Sequence, residues 1–438
     1  MPAGSHSRTV GSGAWPRIFA VLTGAWLGLS LLKFGNPVIL ERLVEPPKAF
    51  WEFVFSPWPV AWGYGILAVL MVVAAGVIRF KTAAPRWRVV ALLAWFGWQL
   101  VAATQTVDVQ LTKATTLHFA ACVVCFYLGL FALGRVASLT GFWIGLLLGF
   151  AWVLWMGFGQ HFGGLAATQL MIYEQPGWQQ FSPEYLQRMA SNRIFSTLVY
   201  PNALAGAVLL LLPMLLAALS QMTRRMANVT RGVLVGLLGY AGLACLYWSG
   251  SKSGWLIALL LGLITLLRLP LQRQIKLAVV AAALALGLAG FLVKLSEYFE
   301  RGATSVSARF DYWRAAWQIA KDHPLFGTGP GTFSIPYKKL KAPGSEMTRL
   351  VHNNYLEQAS DSGLFGFLTF SAFIFGSITL LYRKSSIDSV HFCVWLGLLG
   401  WTLHGVVEFG LYIPALAWPA FVLLGWLSGA ELKSTRTN

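Results

Sequence analysis

The chain has 438 residues, of which 57% are hydrophobic and 11% are charged, and its net charge is +17. Soluble domains carry about 25% charged residues, so this composition, with a mean hydropathy of +0.63, excludes a soluble globular protein and predicts an all-α polytopic membrane protein. The basic excess by itself would also fit a nucleic-acid-binding protein, but its distribution along the chain indicates membrane topology instead.

Apolar runs long enough to approach a membrane crossing recur along the whole sequence. A transmembrane helix needs about 20 predominantly apolar residues, with a range of about 17–25. We predict a single integral membrane domain, residues 1–438, with about 12 transmembrane helices. The candidate spans are 18–34, 60–78, 89–103, 117–134, 142–158, 204–219, 233–248, 254–267, 275–293, 364–382, 392–407 and 411–427.

Basic residues concentrate on one side of this predicted bundle. With the N-terminus placed in the cytoplasm, the inner segments contain 17 of the 33 Lys and Arg residues but only two acids, Asp388 and Glu431. Cytoplasmic loops of membrane proteins carry such an excess of Lys and Arg. We therefore predict that both termini are cytoplasmic, that the bilayer is the main partner of the basic surface, and that no nucleic acid binds.

Two predicted outer segments are much longer than the others, residues 159–201 and residues 294–362. Long loops inside a compact protein are usually functional, and both contain signals for short helices. Ser-Pro-Glu at 182–184 is typical of a helix N-terminus, and GTGPG at 327–331 predicts a tight turn, because it fits neither a P-loop nor a dinucleotide-binding pattern. An aromatic helix face is predicted from the i, i+3, i+7 spacing of Phe310, Trp313 and Trp317.

Three cations in the outer segments are candidate ligands for an anion. Arg193 precedes the sixth span, Arg309 lies in the second long loop, and Lys252 lies in the turn between spans seven and eight. Arg suits phosphate because its guanidinium is always charged and presents a planar fork. Alternatively, each Arg is a surface residue paired with a nearby acid such as Asp311, and Lys252 extends toward lipid headgroups.

His352 is the candidate acid–base residue, because imidazole can accept or donate a proton near neutral pH; a purely structural hydrogen bond is the alternative. Glu408 and His404, near the outer end of span eleven, are candidates to pair with each other or with one of the cations.

The four cysteines lie in apolar runs and are expected to be buried. Because no metal-ligand motif and no Walker A motif occurs, we predict neither a metal nor a cofactor.

Three stretches, in this order, resemble the O-antigen ligase and O-antigen polymerase superfamily of bacterial envelope glycosyltransferases. They are SNRIFSTLVYPNALAGAVLLLLPM, then LYWSGSKSGWLIALLLG, then SARFDYWRAAWQIAKDHPLFGTGPGTF followed by HNNYLEQASDSGLFG. The last contains His-Asn, nine residues and Gly-x-x-Gly, which is similar to the ligase-type signature and is filled by His352, Asn353, Gly363 and Gly366. The resemblance covers about residues 191–366. Lys252 stands where the family usually has Arg, which weakens transfer of a bidentate role to this position.

The resemblance implies a metal-independent, GT-C-like transferase in the bacterial inner membrane, with its active site facing the periplasm. Its donor would be a glycan on undecaprenyl pyrophosphate, and its acceptor a hydroxyl group. The motif is most similar to ligases, which would use lipid A core; a polymerase would use another lipid-linked repeat, and a protein O-oligosaccharyltransferase a Ser or Thr.

The resemblance also suggests roles for the candidate residues. We expect His352 to act on the acceptor as general base or orienter, and Arg193 and Arg309, with Lys252, to hold the pyrophosphate. Asn202, Asn353 and Tyr355 would support them. A lipid or polyisoprenoid-glycan transporter is the rival reading, but it should show polar or broken helices near the bilayer midplane, whereas here the polar residues cluster outside the spans.

Overall fold

The computed structural model describes residues 13–80, 86–166, 169–170, 191–282, 285, 304–342, 345–384 and 388–429. Within these residues the chain forms helices and connecting turns without a strand, as expected where backbone polar groups must be satisfied inside lipid. The α-helices are α1 Ala14–Lys33, α2 Phe50–Phe55, α3 Val60–Ala75, α4 Arg86–Ala103, α5 Val109–Phe131, α6 Thr140–Gly159, α7 Pro201–Met222, α8 Asn228–Trp248, α9 Lys252–Arg268, α10 Thr304–Asp322, α11 Ser334–Leu340, α12 Asn354–Lys384, α13 Ser389–His404 and α14 Pro414–Gly429.

Six helical segments in the described part of the chain are long and apolar enough to cross a membrane, and two apolar helices, Val60–Ala75 and Pro414–Gly429, are shorter. The predicted count of about 12 crossings is therefore not confirmed, although the all-helical membrane architecture is. The ninth predicted span, 275–293, and the Ser-Pro-Glu motif at 182–184 lie partly or wholly outside the described residues. The six segments are Ala14–Lys33, Val109–Arg135, Thr140–Gly164, Pro201–Met222, Asn228–Trp248 and Asn354–Arg383.

Glycines allow the helices of the bundle core to approach backbone to backbone. A Cβ atom added to Gly149 of α6 would lie 2.4 Å from the Cα of Gly28 in α1, and one added to Gly129 of α5 would lie 2.0 Å from the carbonyl oxygen of Val422 in α14. Small residues at such crossings are typical of helix association in lipid, where close van der Waals packing replaces the hydrophobic effect. Gly149 and Gly129 therefore allow close packing of the bundle.

A kink in α12 sets the position of the second long loop. Gly363 adopts φ +69° inside the helix, and the amide of Leu364 donates to the carbonyl oxygen of Pro324 at 2.8 Å. The GTGPG turn lies against the same part of α12, because the Gly331 amide donates to Asp361 Oδ2 at 2.7 Å. The predicted tight turn is thus confirmed, and it ties the loop to the helix that begins directly after His352.

Candidate functional site

Glu408 lies in the turn after α13, with only 5% of its side chain exposed. Its Oε1 atom accepts hydrogen bonds from Arg309 Nη2 and from Asn202 Nδ2. Its Oε2 atom lies 3.1 Å from Nδ1 of His352. One carboxylate therefore joins residues from the start of α7, the start of α10 and the segment before α12, which are far apart in sequence.

Arg193 extends this network through Asn202. Its Nη2 atom donates to Asn202 Oδ1 at 2.8 Å, and its Nε atom donates to the carbonyl oxygen of Ser249 at 2.7 Å. The next residue, Ile194, donates its amide to the carbonyl oxygen of Trp248 at 3.3 Å. The extended segment carrying Arg193 is thereby fixed to the C-terminal end of α8. Asn202 bridges the Arg193 guanidinium group and the Glu408 carboxylate.

The backbone around His352 is unusual and firmly supported. His352 adopts φ +56°, a region that costs a non-glycine residue about 1–3 kcal/mol and persists only where the surroundings impose it. Asn353 is the N-cap of α12, and its Oδ1 atom accepts from the amides of Tyr355 and Leu356, each at 3.0 Å. The Phe409 ring packs edge-on against the imidazole at 4.7 Å. The conformation turns the imidazole toward Glu408.

The charges of the site keep Glu408 ionised. Burial by itself would raise the pKa of this carboxyl group, but the nearby His352 and Arg309 outweigh that effect and lower the pKa to about 2. For Arg193, burial is the largest influence and lowers the pKa, Glu408 opposes it, and Arg309 adds to it. Two guanidinium groups and an imidazole thus share one carboxylate, which leaves the site with an excess of positive charge.

Lys252 is the first residue of α9, next to the turn that contacts Arg193. Ser251 caps this helix by accepting from the amide of Gly254 at 3.2 Å. Gly250 adopts φ +61° and lies against the Arg193 side chain, where an added Cβ would come 3.1 Å from Nε. The exposed Lys252 side chain therefore begins close to the Arg193 end of the network.

The structure separates the predicted site residues into two groups. His352, Arg309, Asn202 and Arg193 form one continuous network with Glu408. Asn353 and Tyr355 instead hold the backbone, and the Tyr355 hydroxyl donates to the carbonyl oxygen of Thr402 at 3.1 Å.

The predicted aromatic helix face also forms on α10, with Phe310 57% and Trp317 56% exposed and Trp313 packed inward.

The central position of Glu408 was not predicted. The sequence offered it as a candidate partner of His404 or of one of the cations. The structure pairs it with the cation Arg309, as the second alternative predicts, and also with His352. Its position in the sequence could have indicated its importance. A carboxylate directly after an apolar span is energetically unfavourable unless it has a function or a partner. No group of three or more His, Cys, Asp or Glu side chains in the described residues could hold a metal ion; metal independence stays a prediction.

Comparison with known proteins tests the family resemblance. Residues 236–371 match the family model described as O-antigen ligase. This segment is similar to the O-antigen ligase family. The match contains Lys252, Arg309 and His352, and it confirms the resemblance predicted from the motifs; Arg193, Asn202 and Glu408 lie outside the matched residues.

A curated relative is similar to a smaller part of the chain. A protein of Haemophilus influenzae, described as uncharacterized, is 28% identical over 143 residues, covering 27% of this chain. The alignment spans 36% of the relative's own length. The similarity to the O-antigen ligase family model therefore rests on residues 236–371 of the chain.

Proposed function

We propose that this protein transfers a glycan from undecaprenyl pyrophosphate to an acceptor hydroxyl, as an O-antigen ligase acting on lipid A core at the periplasmic face of the bacterial inner membrane. One observation carries the proposal: His352, Arg309 and, through Asn202, Arg193 converge on the buried Glu408. This arrangement places a candidate base beside candidate ligands for a pyrophosphate.

In the proposed reaction, the acceptor oxygen forms a bond to the anomeric carbon of the donor sugar. The bond between that carbon and the pyrophosphate oxygen breaks, and its electron pair leaves with undecaprenyl pyrophosphate. The acceptor proton passes to His352. Because Glu408 contacts Nδ1 of His352, Nδ1 is assigned the hydrogen in the neutral ring, and Nε2 then carries the lone pair that accepts the proton.

The two arginines would stabilise the leaving pyrophosphate. Negative charge on its oxygens grows as the glycosidic bond breaks, and preorganised cationic donors stabilise such charge most strongly where water is excluded. Arg309 and Arg193 are partly buried and held by Glu408, Asn202 and Ser249, so their guanidinium groups need little reorganisation. Lys252 would add a further positive charge at the Arg193 end.

The test is transfer in vitro by the purified full chain in detergent, with a chelator present. The donor is an undecaprenyl-pyrophosphate glycan, and the acceptors, in separate reactions, are lipid A core, a second lipid-linked repeat and a Ser/Thr peptide. We expect His352→Ala to lower the rate about 10²–10⁴-fold and Arg309→Ala at least about 10²–10³-fold. His323→Ala and Arg314→Ala, exposed positions of the same loop, are the matched controls.

The product identifies the acceptor. Glycosylated lipid A core supports the ligase, a ladder of lipid-linked repeats supports a polymerase, and a glycopeptide supports a protein O-oligosaccharyltransferase. Full activity of His352→Ala would overturn its role as base. No transfer to any acceptor, with donor movement across reconstituted vesicles, would instead favour a transporter.

A further inference from the structure

A cavity of about 860 Å³ lies at the opposite end of the helix bundle from Glu408. Its walls include Arg135, Arg224, Arg225 and the Asp388–His391 pair. Among the described residues that line it, three are arginines and one is an acid. The proposed transfer reaction uses none of these residues.

The helix directions place this cavity on the other face of the membrane. α7 begins beside Asn202 in the candidate site and ends at Met222, which lines the cavity together with Arg224 and Arg225. Its 22 residues correspond to a length of about 33 Å, close to the thickness of a bilayer's hydrocarbon core. α13 runs the other way, from the cavity to the turn that contains Glu408.

The acid in the cavity, Asp388, is already engaged by His391. Asp388 is the N-cap of α13 and accepts from the amide of His391 at 2.9 Å; its other oxygen lies 2.9 Å from His391 Nδ1. The hydrogen bond from the His391 side chain is the largest cause that lowers the pKa of Asp388. The backbone bond from His391 lowers it further, and burial opposes both. The carboxylate is therefore bound within its own helix turn, while Arg224 and Arg225 are exposed at the rim.

Indole rings form the inner wall of the cavity. The His391 ring stacks on Trp426 at 4.8 Å, and Trp143 packs edge-on against Trp426 at 6.1 Å. Tryptophan favours the level of the lipid headgroups, where an apolar ring meets a polar surface. The cavity thus combines a cationic rim with an aromatic wall at membrane-interface depth, and its volume lies within the range of about 300–1,000 Å³ of small-molecule sites.

We propose that this cavity binds the phosphate of an anionic phospholipid from the surrounding bilayer. The phosphate would meet Arg224, Arg225 and Arg135, and the glycerol and upper acyl carbons would lie against Trp426 and Trp143. Basic pockets between transmembrane helices on the cytoplasmic side are suited to anionic headgroups. The aromatic wall favours a lipid over a soluble anion, because a free phosphate makes no use of apolar surface.

Native mass spectrometry of the full-length protein in detergent tests the inference, with phosphatidylglycerol as the probe and phosphatidylcholine as the zwitterionic comparison. We expect wild type to retain phosphatidylglycerol preferentially, and the Arg224→Gln/Arg225→Gln double variant to lose affinity by at least roughly tenfold. Arg224→Lys/Arg225→Lys keeps the charge and should retain most binding. Arg231→Gln, on the same face and bonded to Asn228 at 3.0 Å, is the matched control.

Equal retention of phosphatidylglycerol by wild type and the double Gln variant would overturn the proposal, as would an equal loss in Arg231→Gln. Displacement of the lipid by millimolar inorganic phosphate alone would mark a soluble-anion site and also overturn it. A melting curve for each variant identifies any loss caused by unfolding. If the double Gln variant unfolds, the single variants Arg224→Gln and Arg225→Gln decide the matter, because unchanged retention of phosphatidylglycerol by both would overturn the proposal. No glycan transfer is measured, so the result is independent of the proposed function.

Discussion

Glu408 helps to orient its neighbours because it is enclosed by them. Arg309 and Asn202 contact one of its oxygens and His352 the other, so a change in its charge affects every member of the network. Removing one partner of a buried ion pair leaves an uncompensated charge, which commonly costs about 3–5 kcal/mol. The residue is therefore expected to matter for stability and for the proposed chemistry together.

The contribution of Glu408 to stability should depend on pH in a defined direction. Its pKa is about 2 in the folded protein, against 4.5 for the ordinary carboxyl group. Because the pKa is lower in the folded protein, the ionised carboxylate stabilises the folded state at pH values above about 4.5. This stabilisation is lost as the pH falls from about 4.5 toward 2. We expect Glu408→Gln to melt below wild type at neutral pH, by a difference that shrinks with acidification through this window.

Thermal unfolding of both proteins in detergent, between neutral pH and the lowest pH that keeps them soluble, provides the measurement. Glu45→Gln is the matched control, because Glu45 is 76% exposed and pairs with the exposed Lys48; its melting temperature should follow wild type. A difference for Glu408→Gln that stays constant down to the acidic limit would contradict the proposed electrostatic role.

α12 shows, at the scale of an element, what hydropathy misses. The apolar pattern predicts a span that begins at residue 364, whereas the helix begins at Asn354 and continues through the kink at Gly363. The polar first part forms helix because Asn353 caps it and because Glu357 and Asp361 are buried against neighbouring segments. The local apolar pattern does not predict these tertiary contacts, in which two acidic side chains are buried in the bundle.

Gly363→Ala should therefore destabilise the protein well beyond a usual glycine substitution. The residue has φ +69°, and an added Cβ would lie 2.1 Å from the carbonyl oxygen of Leu325, so both backbone strain and a steric clash oppose it. We expect a loss of at least about 1–3 kcal/mol, measured as a lower melting temperature in detergent, together with reduced transfer because His352 lies before the same helix.

Gly236→Ala is the matched control within the described helices. Gly236 lies inside α8 with open space where its Cβ would be, and alanine in a helix interior is favoured over glycine by up to about 1 kcal/mol. Its melting temperature should equal or exceed that of wild type. Similar melting temperatures for Gly363→Ala and Gly236→Ala would show that the kink tolerates a side chain.

At the scale of the whole molecule, the sequence predicts the kind of architecture better than the number of crossings. Most predicted apolar runs coincide with described helices, but several of these helices, such as Val60–Ala75 and Pro414–Gly429, are too short to be counted as spans by length. The site shows the same limit. Arg193, Arg309 and His352 could each be selected by residue type and position, yet their convergence depends on how non-neighbouring helices pack.

The excess of basic residues near one face predicts the orientation of the bundle, and this prediction is open to direct test. Asn192 is exposed beside Arg193 before α7, and Met226, 51% exposed, follows its other end. Because α7 is about 33 Å long, the two positions should lie on opposite sides of the membrane. We expect a membrane-impermeant maleimide to label Asn192→Cys in intact spheroplasts, and Met226→Cys only after the membrane is opened.

The native cysteines give little background in this experiment, since Cys122, Cys125 and Cys245 are buried and Cys393 is partly buried; wild type measures what remains. The reverse labelling pattern would place His352 and Glu408 in the cytoplasm, where a lipid-linked glycan would have to be used before it crosses the membrane. It would also place the arginine cavity at the outer leaflet. The labelling pattern therefore decides which face of the membrane must supply the donor and which leaflet must supply the lipid.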